Sequence, residues 1–230
     1  MPSQPQGSSI GRQPPPTKSR DEDAPLVLIV DDDSSIREAL QELLLSVGVD
    51  STCFASTRDL LDAALPDRPG PLILDVRMPG SSGLDLQTHL ATNGNAKPII
   101  FLTGHGDIPM TVRAMKAGAI DFLTKPVRDQ TLLDAVAAGI ARDIAQRASA
   151  RVISQYVECL AKLTPRERQI LREVALGRLN KQIAFDLGIS EITVKLHRSN
   201  VMRKMLAKSV GDLVRAWEAL PDHLRQQRPD

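Results

Sequence analysis

Apolar residues between positions 25 and 128 occur in short unbroken runs that are separated by longer segments of helical periodicity. Unbroken runs of Val, Ile and Leu are typical of strands buried on both faces, and their alternation with helices is typical of a parallel sheet. The pattern therefore predicts an α/β doubly wound fold, in which helices cover both sides of a five-stranded parallel sheet. The predicted strands are 26–30, 51–54, 72–74, 99–102 and 119–123, and the predicted helices are 35–47, 57–65, 84–92 and 109–117.

The second half of the chain has a helical pattern throughout. Apolar side chains recur at helical spacing from residue 129 to 162, with one Gly and no Pro, which predicts a long linker helix. Thr164 and Pro165 then supply a capping residue and a Pro at the first helical position, so a new helix should begin there. An all-α domain of four helices is predicted for residues 163–221, with helices at 166–176, 180–187, 190–205 and 209–220.

The two ends of the chain lack these patterns. Residues 1–24 contain five Pro among Ser, Gln and Gly, and they have little apolar surface to bury, so a disordered tail is predicted. Residues 222–230 are predicted to form a second tail. The chain is thereby divided into a sheet domain at 25–128, a linker helix at 129–162 and an all-α domain at 163–221.

Charge is distributed unequally between the predicted domains, although the net charge of the whole chain is only +1. Residues 26–127 carry eight Lys and Arg against thirteen Asp and Glu, whereas residues 161–215 carry twelve against five. An acidic half suggests a cation site and a basic half suggests nucleic acid, although a solvated charged surface would also explain either. Aromatic residues make up 3% of the chain, which disfavours a binding surface built from stacked aromatic rings.

The sequence gives no sign of a membrane segment. Its apolar runs are far shorter than the roughly 20 residues that span a bilayer, and residues 1–20 lack the apolar stretch of a secretory signal. We therefore expect a cytoplasmic protein without a membrane partner. Cys53 and Cys159 lie far apart in the sequence and lack metal-ligand spacing, which predicts reduced, inert thiols.

Acidic side chains follow directly on two of the predicted strands. Asp31, Asp32 and Asp33 come after the first strand, and Asp75 comes after the third. Because the carboxyl ends of parallel strands open on one crevice, at least two of these carboxylates should converge. Converging carboxylates repel each other, and a hard divalent cation with oxygen ligands relieves that repulsion. The sequence therefore predicts a cation site at this edge of the sheet.

A hydroxyl group and an ammonium group follow the fourth and fifth strands at the same edge. Thr103 ends the fourth strand, and Lys125 lies just past the fifth. Together with the acids, they are what a phosphoryl group needs: Asp75 as nucleophile, Mg²⁺ to neutralise charge, and Thr103 and Lys125 to hold phosphoryl oxygens. Any one of these residues alone could be a turn or cap residue, so the prediction depends on their combination.

The basic half contains the pattern of a helix-turn-helix. Residues 180–187 and 190–205 predict two helices joined by a tight turn at Gly188. Helical spacing in the second helix should direct four side chains to the core, namely Val194, His197, Val201 and Met205. It leaves five side chains facing outward, namely Lys195, Arg198, Ser199, Met202 and Arg203. A cationic outward face is what a reader of the DNA major groove requires, although an ordinary solvated face has the same pattern.

Four segments of the first half resemble the receiver domain of bacterial two-component response regulators. They are residues 30–33, 74–80, 102–104 and 121–126, and the resemblance extends from residue 26 to about 140. It implies that Asp75 is the phospho-acceptor, that Asp32 binds Mg²⁺ directly, and that Asp31 binds it directly or through water. The backbone carbonyl of Arg77 would complete the protein ligands. Asp33 has no role in that family's site and is expected to cap the following helix.

The same resemblance implies two further features of the site. Phe122 occupies the position of an aromatic switch, which turns inward when Thr103 moves toward the phosphoryl group. A core Phe explains this residue equally well from the sequence alone. The Lys125–Pro126 peptide bond would be cis, which directs the lysine into the site.

Three segments of the second half resemble the LuxR-type DNA-binding domain, at 163–168, 180–184 and 193–198. Joined to a receiver, such a domain is similar to the NarL/FixJ family, and residues 104–109 with the long linker helix resemble its FixJ subgroup. The resemblance implies that Lys195, Leu196 and Ser199 face the major groove. The other DNA-binding candidates are Thr193 and a set of implied phosphate contacts, namely Lys181, Arg198, Arg203 and Lys204.

These observations predict a phosphorylation-dependent transcription regulator, with activation expected from the habit of the family. A sensor histidine kinase would donate the phosphoryl group to Asp75, and a homodimer would then bind double-stranded promoter DNA. RNA polymerase is the further expected partner. The surface formed by helix 109–117 and the fifth strand is the expected dimer interface.

Two alternatives stay open on the sequence. One is a kinase-independent module whose first domain only dimerises. The other is an enzyme that forms an aspartyl phosphate, but such an enzyme would want an Asp-x-Asp pair, whereas Asp75 is followed by Val76 and Arg77. We therefore expect a protein that is not an enzyme.

Overall fold

The computed structural model describes residues 24–104 and 106–226. They form two compact units, one ending at Ile144 and the other beginning at Ala145. Nearly all of the predicted tail at 1–24 and the last four residues of the predicted tail at 222–230 lie outside the described residues. Within the described ranges, no helix is both long enough and apolar enough to cross a membrane.

A five-stranded parallel sheet forms the centre of the first unit, as predicted. The main sheet consists of β1 (Leu26–Val30), β2 (Asp50–Phe54), β3 (Leu72–Leu74), β6 (Ile99–Thr103) and β7 (Asp121–Thr124). Two short strands lie outside it, β4 (Arg77–Met78) and β5 (Ser81–Ser82). The order in the main sheet is β2-β1-β3-β6-β7, and all neighbours are parallel. This order brings the carboxyl ends of β1, β3, β6 and β7 to one edge. The strands β4 and β5 form a short antiparallel hairpin that the hydrophobic pattern does not predict.

Five helices belong wholly or partly to this unit, namely α1 (Ser34–Ser46), α2 (Thr57–Asp62), α3 (Gly83–Thr92), α4 (Ile108–Lys116) and α5 (Asp129–Ala161). Asp33 caps α1, as expected, because its carboxylate accepts a hydrogen bond from the Ser35 N–H at 2.8 Å. Helix α2 ends at Asp62 instead of the predicted residue 65. Leu61 and Leu65 are both exposed, so no buried apolar contact extends the helix toward Pro66.

Each face of the sheet carries its own hydrophobic core. Val27 and Ile29 of β1 pack with residues of α1 and α5, whereas Leu26, Leu28 and Val30 pack with residues of α2, α3 and α4. All five β1 side chains are therefore buried, because successive residues of a strand point to opposite faces. This burial on both faces accounts for the unbroken apolar runs in the sequence.

The second unit is all-α. Its helices are α6 (Pro165–Ala175), α7 (Asn180–Leu187), α8 (Glu191–Lys204), α9 (Val210–Ala219) and α10 (Asp222–Gln226). The last of these is a short helix within the segment predicted to be a tail. Fully or almost fully buried side chains from α6 to α9 form one core, including Ile170, Leu171, Ile183, Val194, Val201 and Leu213.

A buried carboxylate fixes the start of α6 in this core. Glu167 and Thr164 form a capping box, in which the Thr164 N–H donates to Glu167 Oε2 at 2.9 Å. The Lys204 ammonium donates to the same oxygen at 2.6 Å and ties the end of α8 to the start of α6. Partial desolvation opposes ionisation of Glu167, but the hydrogen bonds from Lys204 and Thr164 outweigh it and lower the pKa of the carboxyl.

The lowered pKa of Glu167 predicts a pH-dependent contribution to the stability of the second unit. The ion pair stabilises the fold above the ordinary carboxyl pKa of 4.5, and this contribution is lost as the pH falls through the lowered pKa. We expect Glu167→Gln to lower the Tm of the second unit by several degrees at pH 7. The difference in Tm between the variant and the parent should become smaller below pH 4.5. The single Trp, Trp217, packs against this core, so its fluorescence reports the transition.

The matched control for this prediction is Glu218→Gln, which removes an exposed carboxylate from α9. It should leave the Tm of the second unit nearly unchanged at pH 7 and at pH 3.5. A Glu167→Gln deficit that is the same at pH 7 and at pH 3.5 would contradict the role of the ionised carboxylate.

Candidate functional site

Three carboxylates converge at the carboxyl edge of the main sheet. Asp31 follows β1 and Asp75 follows β3, and the Asp75 N–H donates to the Val30 carbonyl at 2.9 Å, so the two strand ends are adjacent. Each of Asp31, Asp32 and Asp75 offers an oxygen, and these oxygens lie within 4.8 Å of one another. Asp31 and Asp75 are buried, with 2% and 8% exposure, whereas Asp32 is exposed. The cluster is therefore a buried acidic pair with a third acid at its mouth.

The ammonium group of Lys125 is bonded to both buried acids. It donates to Asp31 Oδ2 at 2.5 Å and to Asp75 Oδ2 at 3.0 Å. Burial alone would lower the pKa of the lysine, but its hydrogen bonds to the two carboxylates outweigh burial and raise the pKa above 10.5. Lys125 thus stays charged and supplies the counter-charge between Asp31 and Asp75.

The second oxygen of each buried acid accepts a backbone N–H. Asp31 Oδ1 accepts from Asp33 at 3.0 Å, and Asp75 Oδ1 accepts from Arg77 at 3.2 Å. Arg77, predicted to lend a carbonyl oxygen to the metal, is the first residue of β4, which immediately follows this site. These bonds hold the two carboxylates in place while leaving lone pairs on their oxygens.

The cluster fits a divalent cation. Hard cations such as Mg²⁺ take oxygen ligands at about 2.1 Å, so two ligands on one ion lie about 3–4 Å apart. The three carboxylates need to move only slightly from their separation of up to 4.8 Å to meet that requirement. Burial raises the pKa of Asp31, although the hydrogen bond from Lys125 opposes the shift. Additional positive charge would therefore favour the ionised form of this acid.

Thr103 ends β6 at the same edge as the cluster, and Phe122 lies in the adjacent strand β7. Thr103 is buried at the end of β6, and its carbonyl accepts the Lys125 N–H at 2.8 Å. Phe122 of β7 is half-buried, and its ring packs against that of Phe101 with centroids 5.9 Å apart. The Lys125–Pro126 bond is cis, as the family resemblance implies. Asp75, Thr103 and Lys125 are thus brought to one edge, whereas Phe122 is paired with Phe101, two residues before the end of β6.

Two glycines of the site were not identified from the sequence. A Cβ on Gly83 would lie 2.2 Å from the Asp75 carbonyl oxygen, so only Gly allows α3 to begin this close to the acid. A Cβ on Gly106 would lie 2.7 Å from the Phe122 ring and 3.6 Å from the Thr103 methyl group. The sequence carried little signal for Gly83, because a Gly just before a predicted helix is also an ordinary N-cap residue.

The helix-turn-helix in the second unit is formed by α7 and α8. Gly188 ends α7 with a φ of 63°, and Ser190 caps α8 by accepting the Thr193 N–H at 3.1 Å. Val194, Val201 and Met205 are buried, as predicted, and His197 is half-buried. The expectation for Met202 was wrong, because its side chain is half-buried and packs against the core. A long, flexible thioether at the border of two faces can turn inward in this way.

The candidate DNA-binding residues fall into two groups. Five are exposed, namely Lys181, Lys195, Leu196, Ser199 and Arg203. The other three are partly buried and engaged within the unit: Arg198 donates to Asn180 Oδ1 at 2.8 Å, the Thr193 hydroxyl lies 2.8 Å from that of Ser190, and Lys204 is paired with Glu167. The exposed group is therefore the one that a nucleic acid reaches without breaking a contact.

Comparisons with known proteins agree with both halves of this description. The family described as "Response regulator receiver domain" matches residues 27–137, and the family described as "Bacterial regulatory proteins, luxR family" matches residues 161–217. Nodulation protein W of Bradyrhizobium diazoefficiens is 51% identical over 195 residues, which make up 85% of this chain and 86% of that protein. The two halves are therefore found together in a protein of similar length.

Two solved structures resemble the chain over most of its length. The structure of the response regulator StyR has a TM-score of 0.72 at 46% identity and covers 85% of this chain and 98% of that one. Full-length FixJ from B. japonicum has a TM-score of 0.51 at 38% identity and covers 84% and 96%. The chain belongs to the NarL/FixJ family of response regulators, and it is a phosphorylation-dependent DNA-binding regulator, not an enzyme.

Proposed function

We propose that Asp75 accepts a phosphoryl group from a sensor histidine kinase and that a homodimer then binds promoter DNA in the cytoplasm to activate transcription through RNA polymerase. The observation that carries this proposal is the Lys125 ammonium, which bonds both Asp31 and Asp75 at the carboxyl edge of the sheet. We keep the division into a receiver at 25–128, a linker helix at 129–162 and a DNA-binding domain at 163–221. The family matches at 27–137 and 161–217 support it.

The proposed step forms an aspartyl phosphate. An Asp75 carboxylate oxygen forms a P–O bond as the P–N bond of the donor phosphohistidine breaks, and the electron pair of that bond returns to the imidazole nitrogen. The Lys125 ammonium already lies 3.0 Å from an Asp75 oxygen, so it can donate a hydrogen bond to an oxygen of a phosphoryl group attached there. The Thr103 hydroxyl, at the end of the neighbouring strand, would hold another phosphoryl oxygen.

Mg²⁺ is the cation that we propose for the acidic cluster. Asp31, Asp32 and Asp75 would hold it together with the backbone carbonyl of Arg77, and all four ligands are oxygens. When bound, the ion would stabilise the negative charge on the phosphoryl oxygens during transfer. The exposure of Asp32 supports its role as the ligand through which a hydrated ion enters.

The first prediction from the proposed function concerns the nucleophile, Asp75. Asp75→Asn keeps the shape of the side chain but removes the anionic oxygen, so incubation with radiolabelled acetyl phosphate and Mg²⁺ should give no hydroxylamine-sensitive label on the protein. Asp32→Asn should slow labelling by about tenfold or more. Even mutation of a residue that only hydrogen-bonds to a metal ligand typically lowers metal affinity or activity by about 10–100-fold.

Asp33→Asn is the control, because Asp33 is adjacent in sequence but caps α1 outside the acidic cluster. It should be labelled at the rate of the parent. Absence of label in the parent would favour the alternative of a kinase-independent module. Label that persists on another residue of Asp75→Asn would contradict the assignment of Asp75.

The second prediction concerns the counter-charge. Without the ammonium, the buried acids Asp31 and Asp75 lose their common partner, so Lys125→Met should lower the Tm of the first unit in EDTA. Calorimetric titration with MgCl₂ should then raise the Tm of the variant more than that of the parent, because the ion replaces the counter-charge that the variant lacks. Lys116→Met, at an exposed lysine of α4, should respond like the parent. Equal Mg²⁺ responses of parent and Lys125→Met would contradict this role.

An apolar stripe on α4 supports the dimerisation part of the proposal. Ile108, Val112 and Met115 are 81%, 45% and 42% exposed, and their spacing of four and three residues aligns them on one side of the helix. The sheet neighbour Ile120 is half-buried and packs in the first unit, so it offers little surface to a partner. A second copy of the chain would cover the stripe and link two weak DNA contacts, which raises avidity by about 10²–10⁴.

The third prediction tests this stripe. Val112→Asp should prevent the conversion from monomer to dimer when beryllofluoride and Mg²⁺ are added, as measured by analytical ultracentrifugation. Leu45→Asp is the control and should dimerise like the parent, because Leu45 is 71% exposed on α1, away from the stripe. A beryllofluoride-dependent dimer in Val112→Asp, or a stable dimer of the parent with and without the mimic, would contradict the proposed interface.

A further inference from the structure

Helix α8 presents one exposed face opposite its buried side. With about 100° between successive residues of a helix, positions 192, 195, 196, 199 and 203 fall within an arc of about 100°. All five side chains on this arc are exposed, whereas Val194 and Val201 on the opposite side are completely buried. The predicted DNA-binding residues include every member of this arc except Ile192.

Ile192 is the most exposed apolar side chain of α8. It is 80% exposed in the first turn of the helix, and Leu196, one turn later, is 62% exposed. Residues four apart on a helix lie next to each other, so the two side chains form a continuous apolar ridge. Single exposed apolar residues are ordinary, but a ridge on the outward face of a helix-turn-helix is a surface that a partner can bury.

The surroundings of the ridge indicate the chemistry of that partner. Lys195 and Arg203 lie on the same arc, Ser199 lies between them, and residues 161–215 carry seven more cationic than anionic side chains. A polyanion with apolar groups at fixed positions fits this combination. The DNA major groove is such a surface, because each thymine displays a C5-methyl group there while the backbone carries the negative charge.

We propose that Ile192, together with Leu196, contacts thymine C5-methyl groups in the major groove and is a residue that determines sequence specificity. This inference rests on the proposed DNA-binding function and adds to it the base that is recognised, thymine. The first turn of a recognition helix is the part that meets base edges. Isoleucine suits this contact because its branched Cβ restricts χ1, so the apolar surface is held at a defined position.

The test compares thymine with uracil, which differs only by the methyl group. The full-length chain, treated with beryllofluoride and Mg²⁺, first selects duplexes from a pool with a random 25-base-pair segment. In the selected duplex, each thymine is then replaced singly by deoxyuridine, and Kd values are measured for the parent, Ile192→Ala and Phe185→Ala. Phe185 is a matched control, since it is 87% exposed but lies on α7.

We expect one or two thymines at which deoxyuridine weakens binding by the parent about fourfold, which corresponds to about 0.8 kcal/mol for one buried methyl-sized group. At one of these positions the loss should disappear in Ile192→Ala, whose affinity for the thymine and uracil duplexes should be equal. Phe185→Ala should keep the parental discrimination. Ile192→Val, which keeps the branched apolar side chain, should keep most of it.

Three results would overturn the inference, and they distinguish a failure of the Ile192 role from a failure of DNA binding. If the parent selects a defined sequence but no deoxyuridine substitution weakens binding, or if Ile192→Ala keeps the full thymine preference, the role of Ile192 is wrong while DNA binding stands. If the parent selects no sequence from the pool, the proposed DNA-binding function fails, and this inference fails with it.

Discussion

The N-terminal unit depends on one interaction, the Lys125 ammonium held between the buried carboxylates of Asp31 and Asp75. Two like charges about 4 Å apart repel by about 4 kcal/mol at an effective dielectric constant of 20, so these acids need a cation between them. Lys125 follows β7, and its side chain reaches past the end of β6 to acids that follow β3 and β1. The parallel strands, in this order, bring the three groups together.

The same interaction links the proposed chemistry to the rest of the unit. A phosphoryl group on Asp75 would compete with the carboxylates for the Lys125 ammonium, and Lys125 is also bonded through its backbone to Thr103. Thr103 and the Phe122 ring both lie against Gly106, and Asp107 next to it caps α4 by accepting the Met110 N–H at 2.7 Å. In the proposed mechanism, a contiguous set of contacts therefore connects the acid to the helix that carries the apolar stripe.

The fold and the acidic cluster could be predicted because they depend on local patterns combined with one geometric rule. Unbroken apolar runs identify buried strands, and parallel strands end at the same edge, so Asp31, Asp75 and Lys125 had to lie near one another. The hairpin β4–β5 was missed because two-residue strands have no periodicity. Gly83 and the Lys204–Glu167 pair were missed for another reason: each depends on how closely two elements approach in space, and spacing along the chain carries no information about that distance.

The cations of the second unit illustrate why a sequence match alone does not assign DNA contacts. Lys204 and Arg198 belong to the matched segments, yet their charged groups are bonded to Glu167 and Asn180 and hold helices together. Reaching a DNA phosphate would require each to give up a contact in a partly buried position, whereas Lys195 and Arg203 are exposed and face outward. Since a phosphate contact contributes by releasing counterions from DNA, the exposed cations contribute their full charge, and the paired ones contribute less. The steepness of the salt dependence of binding should therefore be set mainly by the exposed cations.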